Sequence, residues 1–83
     1  MFSRRIRVTH NHQPCPIKWL DNFSMRNFTN DAVFDDTLPR EDGLIEIGSR
    51  VPLADLKAAM EDWFRKKGYI TGEEKIDVSE IHR

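Results

Sequence analysis

Residues 52–67 constrain this chain more than any other stretch. Leu53, Leu56, Met60 and Trp63 recur at spacings of three and four, and Phe64 widens the stripe. That period lines one side of an α-helix and cannot line one side of a strand. Pro52 suits the first turn, where a missing N–H does no harm. Asp55 near the start, and Arg65, Lys66 and Lys67 in the last turn, complement the helix dipole. Glu61 with Arg65 and Asp62 with Lys66 are i,i+4 pairs in the better orientation, each adding roughly 0.2–0.5 kcal/mol. Gly68 is the residue expected just past the end. A helix with one apolar stripe has to bury it against a second layer.

The remaining segments read as short strands able to form that layer. In residues 2–10, Phe2, Ile6 and Val8 share one parity, while Ser3, Arg5, Arg7 and Thr9 share the other. This alternation predicts a half-buried strand with Arg5 and Arg7 toward solvent. Charges of that kind also guard an exposed strand edge, so a structural role competes with a binding one. Leu44-Ile45-Glu46-Ile47 predicts a short strand with Ile45 and Ile47 on one side. Ile76 and Val78 alternate with Lys75, Asp77 and Ser79, and Gly72 lies upstream, which predicts a C-terminal hairpin over residues 69–81.

Between the strands the signals are weaker. Pro14 and Pro16 flank Cys15, and residues 11–16 are expected to end the first strand. Ile17, Leu20 and Phe23 suit one helical face, with Pro16 at its start. Asn22, Ser24, Asn27, Thr29 and Asn30 weaken a long helix, so the expectation is a short helix near 17–24 followed by irregular chain. Asn30-Asp31 reads as a turn or a cap for Ala32-Val33-Phe34. Residues 35–43 are turn chemistry throughout, with Asp42-Gly43 able to supply positive φ.

The chain has 83 residues, enough for a single domain spanning 1–83 with a small core. Eight aromatics (five Phe, two Trp and one Tyr) argue against disorder. No run approaches the roughly 20 apolar residues of a membrane span. The basic start, Met-Phe-Ser-Arg-Arg, has no hydrophobic stretch behind it and does not read as a secretory leader. With one cysteine there is no internal disulfide framework. These features point to a soluble cytoplasmic protein. The net charge of −1 hides a split. Residues 1–26 carry five Arg/Lys and one acid, a net +4, and residues 27–83 carry eight Arg/Lys and thirteen acids, a net −5. A dedicated nucleic-acid binder is usually basic overall. The split permits a basic face, or self-association through complementary faces.

Candidate chemistry is sparse. His10, His12 and Cys15 are good zinc or copper ligands, and in an extended strand His10 and His12 project to the same side. A closed site needs a fourth ligand, and there is no second cysteine; His82 or an acid is the remaining option. Cys15 beside a histidine also suggests a nucleophile, its pKa lowered by the helix start after Pro16. Asp31, Asp35, Asp36, Glu41 and Asp42 form an acidic run without the order of a calcium loop. The glycines are too dispersed to cradle a phosphate.

A helix followed by a hairpin is also how winged-helix DNA-binding domains end. Here the helix carries Asp55, Glu61 and Asp62, and the hairpin tip Glu73 and Glu74, all of which repel phosphate. Basic contacts then fall to the Arg4, Arg5 and Arg7 strand, with Trp19 or Phe23 as stacking groups. One or two aromatics are expected to stay partly exposed, Trp19 in the weakly patterned segment first among them; Trp63, on the helix stripe, reads as core.

No segment carries a motif specific enough to name a family. The expected fold is α+β: a small antiparallel sheet against one long helix at about 52–67, a short helix near 17–24 and a C-terminal hairpin. The expected function is that of a non-catalytic binding module, a regulatory or accessory protein that meets another protein or a second copy of itself. Arg5, Arg7, Trp19 and Phe23 are the expected binding residues, with no catalytic residue, metal or cofactor. The alternative is a nucleic-acid-binding, winged-helix-like domain using the basic N-terminal strand.

Overall fold

The computed structural model describes residues 3–28 and 37–81. Expectations placed on Phe2, on residues 29–36 and on His82 lie outside the described residues. The described residues form a small α+β domain, a curled antiparallel sheet packed with one long helix and one short one.

Strand β1 (Arg4–His10) forms as its parity demands, with Ile6 and Val8 buried and Arg5 and Arg7 exposed. Strand β4 (Leu44–Ile47) pairs with residues 4–7 of β1, and strand β5 (Asp77–Ile81) pairs with residues 5–9. Because those stretches overlap, β4 and β5 flank β1 on opposite sides. Strand β2 (Gln13–Pro14) continues the β4 side at Thr9 and His10. Strand β3 (Thr37–Glu41) pairs with β4 and ends the sheet. β1 is therefore central, and its arginines guard no edge.

Two departures from the sequence reading are hairpins. Residues 11–16 do not simply end the first strand. Asn11 and His12 take positive φ of 53° and 64°, and the chain folds back so that Gln13 pairs with His10. Left-handed conformations at both central residues are what a tight two-residue hairpin needs. Pro14 is tolerated because β2 is a two-residue strand at the end of the sheet order. Nor is 35–43 all turn: residues 37–41 are β3, with Pro39 in the terminal strand and a bulge between Pro39 and Glu41. Asp42-Gly43 turns the chain into β4 as expected, with Gly43 at φ +75°.

Helix α2 (Leu53–Lys66) matches its expected span within a residue at each end. Its end is a Schellman motif: Tyr69 N–H donates to Phe64 C=O at 2.8 Å, Gly68 N–H to Arg65 C=O at 3.0 Å, and Gly68 has φ +78°. Asp62 and Lys66 pair at 3.1 Å. Glu61 does not pair with Arg65. It is buried, and its carboxylate accepts the Ile76 N–H at 2.9 Å, while Arg65 donates to the Glu74 carbonyl at 3.1 Å. The helix thus grips the connection that follows it. That connection forms no hairpin: only β5 is a strand, and it pairs with β1. No wing follows the helix among the described residues.

The short helix is also shorter than expected. α1 spans Ile17–Leu20 and stops at Asp21, which is extended, before Asn22 at φ 66°. A 3-10 turn follows at Met25–Asn27, capped by the Ser24 hydroxyl, which accepts the Arg26 N–H at 3.2 Å. Leu20 and Phe23 are buried, but Ile17 is 38% exposed, so the three do not share one face.

The core joins Ile6, Val8, Ile45 and Ile47 of the sheet to Leu56, Ala59, Met60 and Phe64 of α2. Each fully buried side chain of this size contributes roughly 1.5–3 kcal/mol relative to exposure. Trp19 stays partly exposed, as expected. It is half-buried, stacked on Tyr69 at 5.2 Å and edge-on to Phe64 at 5.5 Å. Trp63, expected in the core, is only partly buried, with the Lys67 ammonium 4.7 Å from its ring. Among the described residues the exposed large apolar side chains are Ile17 and Leu38, the latter at 42%.

Candidate functional site

The register builds the candidate surface. Residues paired across antiparallel strands point to the same side of a sheet. Leu38, Glu46, Arg5 and Ile81 form one row across β3, β4, β1 and β5, on the side away from the core. Glu41, Leu44, Arg7 and Ser79 form the next row, and Thr9 with Asp77 a third. Leu38, Arg5, Arg7, Glu41, Ser79 and Asp77 are exposed, and Leu44, Glu46 and Ile81 partly so. The outer face is thus a sheet surface with arginines along its middle strand, aliphatic side chains beside them and acids toward its margins.

The charges on this face are unevenly satisfied. The Glu46 carboxylate lies between two arginines, 3.2 Å from Arg40 and 3.9 Å from Arg5. Exposed pairs of this kind contribute about 0–1 kcal/mol, so a competing carboxylate displaces them at small cost. Arg7 has Leu44 on one side and Ser79 on the other, and no carboxylate among the described residues lies within 4.0 Å of it. Arg4, of opposite parity, is used internally. It pairs with Glu80 at 3.1 Å and donates to the Ser49 and Val51 carbonyls at 3.1 and 2.6 Å.

Of the four expected binding residues, Arg5 and Arg7 stand together on this face. Trp19 and Phe23 do not join them. Phe23 is in the core at 1% exposure, edge-on to Trp63, and Trp19 packs on the core through Phe64 and Tyr69. Leu38, Arg40, Leu44 and Ile81 belong to the surface but escaped the sequence reading. Leu44 and Ile81 had a signal: Leu44 has the parity opposite to buried Ile45 and Ile47, and Ile81 the parity opposite to buried Ile76 and partly buried Val78. Leu38 and Arg40 had none, because their strand carries a proline amid turn residues.

The reactive groups are spent elsewhere. Cys15 is fully buried, and burial pushes its thiol up from 9.0 to about 11, the opposite of nucleophile activation. His10 does not share a side with His12, because the turn at Asn11 and His12 breaks the strand between them. Its ring lies 2.5 Å from Glu74 and tilts against Trp19. Among the described residues no three His, Cys, Asp or Glu converge to hold a metal. The Thr71 N–H holds the Glu74 carboxyl below its usual range; desolvation opposes this, and the His10 ring adds a smaller effect in the same direction as Thr71.

A groove of about 670 Å³ opens beside the first turns of α2, lined by Met25, Phe28, Val51, Pro52 and Ala59 with Arg50, Asp55 and Asp62. Its charged groups are of both signs, and Ser49 adds a hydroxyl that accepts the Val51 N–H at 3.2 Å; the lining holds no thiol or imidazole. No helix among the described residues is long and apolar enough to cross a membrane. Comparison with known protein families, with curated proteins and with solved structures yields no match.

Proposed function

We propose that this protein is a non-catalytic binding module that meets another protein through the outer face of its sheet. One observation carries the reading: Arg5 and Arg7 stand exposed on the central strand, Arg7 without a carboxylate among the described residues, with Leu44 and Ile81 beside them. Aliphatic surface supplies area and arginine supplies directed charge, the combination by which interfaces gain both affinity and register. The internal use of His10, Glu61 and Cys15 agrees with a role performed at the surface. Packing two copies face to face about the centre of this surface sets arginine against arginine, so a partner of different sequence is favoured over a second copy.

The test is affinity capture from cells of the source organism, using wild-type protein and the Arg5→Glu/Arg7→Glu double variant, with circular dichroism to check that both fold. Loss of captured partners by the variant supports the reading. The same partners at the same yield, with unchanged sedimentation of the isolated protein, removes it.

Nucleic acid is the second reading, favoured by the same exposed arginines. It is weakened because Phe23 is in the core and Trp19 packs on it, which leaves no aromatic among the described residues beside Arg5 and Arg7 for a base to stack on. A mobility-shift titration at low ionic strength, where phosphate attraction is strongest, decides it.

A further inference from the structure

Resting on that reading, we infer that the partner presents an extended acidic segment, with carboxylates on alternate residues, that lies along β1 and meets Arg5 and Arg7. Three observations converge on this occupant. Arg5 and Arg7 share one face of one strand, two residues apart. The distance along a strand between such residues is about 6.6–6.8 Å, and side chains on alternate residues of a second extended chain repeat at the same interval. An α-helix does not offer that match: its adjacent same-face positions are three or four residues apart, and an i,i+2 pair points to different sides.

The second observation is the state of the charges. Arg7 has no carboxylate among the described residues, and Arg5 has only a 3.9 Å contact to Glu46, which Arg40 also holds at 3.2 Å. A partner carboxylate on Arg7 breaks no described ion pair. One on Arg5 leaves Glu46 with Arg40. Both arginines can therefore be engaged without leaving a buried charge unpaired, the circumstance that makes charged interfaces costly. Guanidinium groups also hold carboxylates through two parallel hydrogen bonds, which fixes orientation as well as charge.

The third is what flanks the pair. Leu44 lies beside Arg7 on the β4 side, and Ile81 lies beside Arg5 on the β5 side. The apolar shoulders are thus diagonal across β1, and both are partly exposed. Aliphatic portions of the segment pack there. Asp77, in the third row, marks the end at which an acidic chain is no longer welcome.

The experiment uses the full chain and short capped, fluorescein-labelled peptides read by anisotropy at low and moderate salt. In the first peptide Glu alternates with Val and Thr. In the second the same residues are reordered so that the glutamates are contiguous. A fluorescein-labelled oligothymidylate is the third probe. The expected result is that the alternating peptide binds about tenfold or more tighter than the contiguous one, the equivalent of at least about 1.4 kcal/mol. Arg7→Glu is expected to abolish that preference, and Arg7→Gln to reduce it by a similar factor if the charge reversal does not fold. Equal binding of the two peptides, tighter binding of oligothymidylate, or no peptide binding at low salt overturns the inference. If the peptides fail while capture from cells still depends on Arg5 and Arg7, the binding-module reading survives and only the extended acidic partner is lost.

Discussion

The two hairpins of the sheet reverse direction through two residues each, and each has something outside it holding it in place, yet they are built on different principles. The β3–β4 turn has Gly43 at φ +75°, where glycine carries no steric penalty. The β1–β2 turn puts Asn11 and His12 into the left-handed region. An L-residue there costs roughly 1–2 kcal/mol, less for asparagine. The first turn is written in its own residues. The second is imposed by what surrounds it: Cys15 N–H donates to Val8 C=O at 3.1 Å, Cys15 C=O accepts from Gly43 N–H at 2.6 Å, and His10, where the hairpin begins, is bound to Glu74. The glycine turn docks against the strained one, so the local rule at one hairpin supports its violation at the other.

Gly43→Ala is the severest way to break this arrangement. A Cβ at that position would stand 2.7 Å from Pro14 Cβ and 3.1 Å from the Val8 carbonyl oxygen, in addition to the penalty of positive φ. We expect a loss of about 2–4 kcal/mol in urea unfolding, from left-handed strain plus overpacking. A loss under about 1 kcal/mol would mean that the two hairpins are not locked together. His12→Gly tests the opposite side. It removes the strain at an exposed turn position and should raise stability by about 0.5–1 kcal/mol, since the added freedom of the unfolded glycine offsets part of the relief. A decrease would show that the His12 side chain contributes something the geometry does not reveal.

The smallest expected effect is on pH dependence. Glu74 has a folded-state pKa below its ordinary value of 4.5. Its contribution is therefore present above that value and is lost as pH falls through the depressed folded value. Unfolding of the wild type and of Glu74→Gln, followed from neutral pH to below 4.5, should give a shallower acid loss in the variant. Parallel curves would separate the β1–β2 hairpin from the His10–Glu74 contact.

The same contrast explains what was legible in the sequence. α2 was legible because its period, its proline and its glycine all state the same local instruction. β1 and β4 were legible because one side of each is buried, so burial enforces alternation. The Asn11-His12 turn was hidden because neither residue advertises a left-handed conformation as Asp42-Gly43 does. β3 was hidden because Pro39 and its polar neighbours describe a turn when taken alone, and only pairing to β4 makes them a strand. The C-terminal hairpin failed for a related reason: Glu61, read as a surface partner for Arg65, turns inward to bind the Ile76 N–H and holds residues 69–76 to the helix. On the candidate surface, Arg5 and Arg7 followed from parity, and Leu44 and Ile81 carried the same signal. The remainder depended on register across four strands, which one strand's sequence does not contain.

The central placement of β1 has a consequence for how the molecule is made. Arg4 meets Glu80, 76 residues further along the chain, and β5 occupies one whole side of β1. On the ribosome, where synthesis is slow compared with collapse, β1 emerges early and waits for nearly the full length of the domain before that side is covered. Contacts so remote in sequence slow folding, because the intervening chain must be closed before they form. During that wait Ile6 and Val8 sit on a strand with an unpaired margin, and newly made chains are most open to coaggregation or chaperone capture until residues 77–81 arrive.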